Sequence, residues 1–243
     1  MIISLYTLNQ PTKQLYRFAQ DKNVKQVMKF KGIIFDLDGT LAYTLEDIAD
    51  SMNRILESKG YPTFAVEKYK GFIGRGIRNL VKSTLPIEER ENNKIDELYS
   101  RMINDYRENC LIKTRLYEGM DEVIHNLNKD NYRLAVLSNK AHELTEKIVT
   151  SLCGTQTFSQ VLGAHPSVPI KPDPTSASLI AKRWNIKPKK IAYIGDSGVD
   201  MITAIRASMY PIGVLWGYRE EDELKNAGAK KTVKKPIDLL KFF

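Results

Sequence analysis

The chain has 243 residues and a formal charge of +8, is 42% hydrophobic and 27% charged, and contains two cysteines. That composition is ordinary for a folded protein and is long enough for one large domain or two modest ones. It excludes a disulfide framework, and no apolar run approaches the length needed to cross a membrane.

At the start, Ile2-Ile3-Ser4-Leu5-Tyr6 has no basic residue before it, and Asn9-Gln10 ends it too early for a secretory signal. With Cys110 and Cys153 far from any second thiol, the expected setting is the cytoplasm. The basic excess clusters near the two ends, as in Lys22, Lys25, Lys29 and Lys31, then Lys230, Lys231, Lys234 and Lys235. There is no basic stripe interleaved with aromatics, so it reads as solvated surface that attracts anionic substrates, with neither nucleic acid nor membrane as partner. Pro11 through Phe30 carries the pattern of a basic helix. Residues 1–27 are expected to be an N-terminal extension, either flexible or upstream of a natural start at Met28.

The first predicted strand, Ile33-Ile34-Phe35, stops at Asp36 and continues as Leu37-Asp38-Gly39-Thr40. Side chains two apart on an extended backbone point the same way, so Asp36 and Asp38 converge on one spot. Paired carboxylates need a cation or a proton between them. Glu46–Lys59, Gly74–Ser83 and Ile87–Arg107 then read as helices with no strand among them. Tyr117-Glu118-Gly119 re-enters an alternation of strands and helices. Strands are expected at 134–137, 161–163, 191–195 and 212–215. Helices are expected at about 118–129, 141–152, 174–184, 198–207 and 220–227. Alternation of buried strands with helices predicts an α/β fold, a doubly wound parallel sheet with ligands bound beyond its carboxyl ends. Asp36, Ser138 and Asp196 then face one crevice, with the helical insertion placed to cover it.

Four blocks line up in order: Asp36-Leu37-Asp38-Gly39-Thr40, Ser138-Asn139-Lys140, Lys171-Pro172-Asp173-Pro174 and Gly195-Asp196-Ser197-Gly198-Val199-Asp200. Their order and spacing resemble the four motifs of the haloacid dehalogenase superfamily, and the insertion resembles its type-1 cap. The closest likeness is to the phosphoglycolate-phosphatase-like branch, from about Met28 to the C-terminus. The resemblance implies a catalytic core at 28–45 and 113–243 and a helical cap at 46–112. It implies a magnesium-dependent hydrolase of small phosphomonoesters, with phosphoglycolate the first-named substrate, acting as monomer or homodimer.

In that frame Asp36 is the nucleophile that forms an aspartyl-phosphate, and Asp38 is the general acid and base. Asp36, the Asp38 carbonyl and Asp196 hold Mg2+, since the donor set is all oxygen, with Asp200 supporting from behind. Thr40, Ser138, Asn139 and Lys171 bind the phosphoryl group, through the Ser138 hydroxyl, neighbouring backbone N–H groups and the Lys171 ammonium, with Lys171 counted among the catalytic groups as well. Arg75, in the run Gly74-Arg75-Gly76-Ile77-Arg78, is expected to reach the part of the substrate beyond the phosphate. Relatives commonly follow the first motif with an acid and a serine, where this chain has Ala42-Tyr43-Thr44. A sugar phosphomutase of the same fold, β-phosphoglucomutase-like, is the alternative. A non-enzymatic nucleic-acid-binding protein, suggested only by charge, stands behind it. Halide displacement is disfavoured because it has no need of Asp38. His125, His142 and His165 match no motif, and Trp184 and Trp216 read as packing residues.

Overall fold

The computed structural model describes residues 30–243, so the expectations for residues 1–27 lie outside the described residues. Its centre is β1 (Gly32–Phe35), flanked by β4 (Arg133–Ala141) and β6 (Ile191–Gly195). With β5 (Gln160–Ala164), β7 (Tyr210–Val214) and β8 (Lys231–Val233) they form one parallel sheet in the order β5-β4-β1-β6-β7-β8. The doubly wound α/β expectation is borne out.

The four residues of β1 are buried because the sheet is covered on both faces. Ile33 and Phe35 pack to one side with α4 (Met120–Lys129) and α5 (His142–Cys153). Ile34 packs to the other with α6 (Thr175–Trp184) and α7 (Gly198–Arg206). This strand-by-strand alternation is the period of two expected of a pleated backbone. No helix among the described residues is long and apolar enough to cross a membrane.

Between β2 (Ala42–Tyr43) and β3 (Arg115–Leu116) the chain is helical: α1 (Leu45–Ser58), α2 (Ile77–Thr84) and α3 (Asn92–Asn109). The outgoing and returning segments pair antiparallel, Ala42 with Leu116 and Tyr43 with Arg115. The buried Asp47 carboxylate reinforces that base by accepting from the Lys113 and Thr114 N–H groups at 2.8–3.0 Å. α8 (Glu221–Asn226) follows β7, as expected.

Two local expectations need correction. The predicted helix over Ile87–Arg107 is broken: a single 3-10 turn spans Ile87–Glu89, and Glu91 is extended before α3 begins. Arg90 turns its guanidinium back onto the Leu85 and Ser83 carbonyls, which bends the chain there. Second, β4 does not stop at Leu137 but runs on through Ser138-Asn139-Lys140, with a register shift before Ala141. That block is therefore carried by strand, and Ala141, not Ser138 or Asn139, precedes α5. The basic run near the C-terminus contains β8, an edge strand on which Val233 is the buried residue.

Candidate active site

Asp36 follows β1, Ser138 lies in β4 and Asp196 follows β6, so three adjacent strands deliver polar groups to the carboxyl edge of the sheet. Oxygens of Asp36, Asp196 and Asp200 lie within 4.8 Å of one another, and all three residues are buried. Glycine makes this convergence possible. Gly39 sits at φ +82°, and a Cβ there would stand 2.3 Å from Asp196 Oδ2. A Cβ on Gly195 would meet Asp200 Cβ at 2.3 Å. No side chain fits between the carboxylates and the loops that present them.

The Lys171 ammonium is buried among these acids, 2.8 Å from Asp36 Oδ1 and 2.7 Å from Asp200 Oδ1. Its third partner is the Leu137 carbonyl at 3.1 Å. Burial opposes its charge, but Asp200 and Asp36 hold its pKa well above the usual lysine range. Burial first, and then the Asp200 charge, push Asp36 well above the usual carboxylate range, against the pull of Lys171. The same two causes push Asp196 up to about 7. Asp200 is itself fixed, because its Oδ2 accepts from both the Ser197 N–H and the Ser197 hydroxyl at the start of α7. One oxygen of Asp36, Oδ1, takes Lys171 and the Leu37 N–H (2.6 Å), which leaves Oδ2 uncommitted among the described residues.

Asp38, two residues on, lives in different company. Its Oδ1 meets the Lys140 ammonium at 2.8 Å and the Thr44 hydroxyl at 2.6 Å. Lys140 is buried in turn and donates to the Tyr106 hydroxyl of α3 at 2.7 Å. Thr44 Oγ1 also lies 3.4 Å from the Tyr218 hydroxyl, and the Tyr218 N–H donates to Asp196 at 2.7 Å. Asp38 thus has its own cation, and again one oxygen, Oδ2, carries no partner among the described residues.

A cavity between sheet edge and helices is lined by Asp36, Asp38, Ser138, Asn139, Lys140, Lys171 and Asp196 below. Ile48, Ile73, Gly74, Ile77, Leu80 and Tyr106 line it above, and Tyr218 and Arg219 close one side. Ser138 accepts from the Lys140 N–H at 3.2 Å, which leaves its own hydroxyl proton free to donate. The Asn139 side chain is held by main-chain groups. Its Nδ2 donates to the Gly74 and Lys171 carbonyls, both at 3.0 Å, and its Oδ1 accepts from the Lys171 N–H at 2.8 Å. The side chain is spent on tying the lysine loop and the helical layer to β4.

Two expected contacts are not brought to the cavity. Thr40 is fully buried in the turn after Asp38, its hydroxyl unpartnered among the described residues and its carbonyl accepting from Trp216 Nε1 at 3.0 Å. Arg75 is exposed and lines two outer clefts instead, while Arg78 pairs with Asp96 at 2.9 Å on the surface. Gly74 and Gly76 flank Arg75 with φ of +110° and +82°, and this turn carries its side chain outward. The arginine that does reach the cavity is Arg219, whose guanidinium donates to the Ile73 carbonyl at 2.8 Å and to that of Lys70. Sequence reasoning missed Lys140, Tyr106, Tyr218 and Arg219. Only Lys140 carried a signal, its place inside the Ser-Asn-Lys block.

The cluster fits a divalent cation. Three buried carboxylates face one ammonium, an excess of negative charge that one such ion neutralises. The donors are all oxygen, which suits magnesium.

The sequence profile described as haloacid dehalogenase-like hydrolase matches residues 33–214. A phosphoglycolate phosphatase of Cereibacter sphaeroides is 30% identical over 77% of this chain and 86% of its own length. An N-acetylmuramic acid 6-phosphate phosphatase of Pseudomonas putida is 27% identical over 88% of this chain and 96% of its own. Among solved structures, a predicted phosphoglycolate phosphatase from Haemophilus somnus superposes with a TM-score of 0.80 at 28% identity. That match covers 88% of this chain and 97% of the other. The chain belongs to the haloacid dehalogenase-like hydrolase family.

Proposed function

We propose that this hydrolase is a magnesium-dependent phosphatase of small phosphomonoesters that works through a phosphorylated Asp36, with 2-phosphoglycolate its first substrate to test. One observation carries the mechanism. Asp36 and Asp38, two residues apart, each have one oxygen occupied by a buried ammonium and the other uncommitted. Two such oxygens side by side supply a nucleophile and a proton carrier. Asp36 Oδ2 attacks phosphorus and the ester bond breaks. Asp38 delivers a proton to the departing alkoxide. Asp38 then takes a proton from water as that water attacks the phosphoaspartate, and phosphate leaves with Asp36 restored.

Asp36, the Asp38 carbonyl and Asp196, with Asp200 behind, would hold magnesium, which would supply charge neutralisation at the phosphoryl group. The Ser138 hydroxyl donates to a phosphoryl oxygen. Lys171 compensates the charge of Asp36 and Asp200 and holds the nucleophile in place. Residues 46–112 act as the cap over a core of 28–45 and 113–243, and their apolar residues at the cavity, Ile48, Ile73 and Leu80, limit water at the reaction.

Phosphate release should be followed with 2-phosphoglycolate, N-acetylmuramic acid 6-phosphate and p-nitrophenyl phosphate, with magnesium and with chelator. Magnesium-dependent release is expected. Absence of release from every ester contradicts the proposal, and transfer to an added sugar in place of water marks a mutase.

A further inference from the structure

The cavity holds three cations, and their donors are not equally committed. Lys171 has three N–H groups and three acceptors: Asp36, Asp200 and the Leu137 carbonyl. Arg219 is drawn to the main-chain carbonyls of Lys70, Ile73 and Tyr218. Lys140 differs. Its ammonium meets Asp38 Oδ1 at 2.8 Å and the Tyr106 hydroxyl at 2.7 Å, and its third N–H has no acceptor among the described residues. The side chain is only 3% exposed, yet it lines the cavity. A buried ammonium with an unmatched donor facing a ligand space is a site for an anion, since leaving that donor unmade is costly.

We propose that Lys140 is the specificity residue of this enzyme and selects phosphate monoesters bearing a carboxylate one carbon from the ester oxygen. This rests on the phosphatase reading above. The placement follows from Asp38. The leaving oxygen takes its proton from the Asp38 carboxyl, and Lys140 is bound to that same carboxyl through Oδ1. A carboxylate on the carbon next to the leaving oxygen therefore falls beside the ammonium. The helical side offers no rival, because Arg75 is exposed outside the cavity and Arg78 is paired with Asp96. Ile48, Ile73, Ile77 and Leu80 make that side apolar, which suits a short substrate with its second charge turned toward the sheet edge. The Tyr106 hydroxyl, delivered from α3, fixes where the ammonium stands.

The test compares 2-phosphoglycolate with 2-hydroxyethyl phosphate, an ester of similar length whose distal group is uncharged. Wild-type protein should prefer phosphoglycolate in kcat/KM. Lys140→Met should lose about 10- to 100-fold more kcat/KM on phosphoglycolate than on the hydroxyethyl ester, chiefly through KM. Lys140→Arg should recover part of that difference. Equal losses on the two esters would overturn the proposal and leave Lys140 as a support for Asp38. No loss on either would overturn it as well. Should Lys140→Met fail to fold, the wild-type comparison still decides, because equal kcat/KM on the two esters removes any need for a carboxylate-binding cation. A wild type active only on uncharged esters defeats this inference and spares the phosphatase. A wild type inactive on every phosphomonoester defeats both.

Discussion

The two carboxylates of the first loop occupy two electrostatic regions only a few ångströms apart. Around Asp36 negative charge is in excess: Asp196 and Asp200 share the space with a single ammonium, Lys171. Around Asp38 charge is balanced, one carboxylate against Lys140, with neutral hydroxyls from Thr44 and Tyr106 completing the network. On the proposed mechanism the first region would be completed by a cation and attack, and the second would move the proton. A single turn thus places identical side chains in two unlike environments, because neighbouring strands bring different partners to each.

The largest expected effect breaks the first region. Asp36→Asn should abolish turnover, since the amide is a far weaker nucleophile and a negative metal ligand is lost with it. Substantial steady-state phosphate release by the purified variant would assign the nucleophile elsewhere.

Next comes the second region. Asp38→Asn should slow turnover by about 10²–10⁴-fold, the usual worth of a positioned acid, while substrate still binds. The deficit should shrink for p-nitrophenyl phosphate, whose leaving group needs little protonation. An equal deficit on poor and good leaving groups would remove Asp38 from the acid role.

A third expectation concerns stability and its pH dependence. Asp196 titrates at about 7 in the fold against 3.8 when unperturbed. The folded state therefore favours the protonated form, and stability present at low pH is lost as pH rises through about 7. In chelator the melting temperature should fall between pH 5 and pH 8, and added magnesium should restore more at pH 8 than at pH 5. Asp196→Asn should melt higher than wild type in chelator at pH 8 and respond little to magnesium. A magnesium shift of the same size at both pH values would contradict the excess of negative charge.

The smallest effect is expected from Arg219→Ala, which frees the carbonyls of Lys70 and Ile73 from the core. KM should rise a few-fold on charged and uncharged esters alike, with kcat nearly kept. A loss confined to phosphoglycolate would move anion recognition from Lys140 to Arg219.

Much of this site was legible in the sequence, because motifs at strand ends depend only on local pattern. Apolar runs ending in Asp36 and Asp196 gave the sheet edge, and the order of blocks gave the cluster. What escaped depends on where distant segments meet. Arg75 looked available in a glycine-rich turn, but the φ values of that turn direct it outward. The Asn139 side chain ties together the main chain of two other loops, contacts that no local pattern announces. Tyr106 lies on the buried stripe of α3 with Ile95, Leu98 and Met102, and nothing local shows that its hydroxyl meets a lysine 34 positions away. The break before α3 was hidden because Arg90 bends the chain through carbonyl contacts that leave no periodic trace.

Rapid acid quenching of the wild type with phosphorus-labelled 2-phosphoglycolate and magnesium most directly tests phosphoryl transfer to Asp36. If Asp36 is the nucleophile, a hydroxylamine-labile phosphoryl group appears on the wild-type protein within one turnover, maps to the peptide holding Asp36, and is missing from Asp36→Asn. Label on a different residue, or equal label on Asp36→Asn, would contradict it.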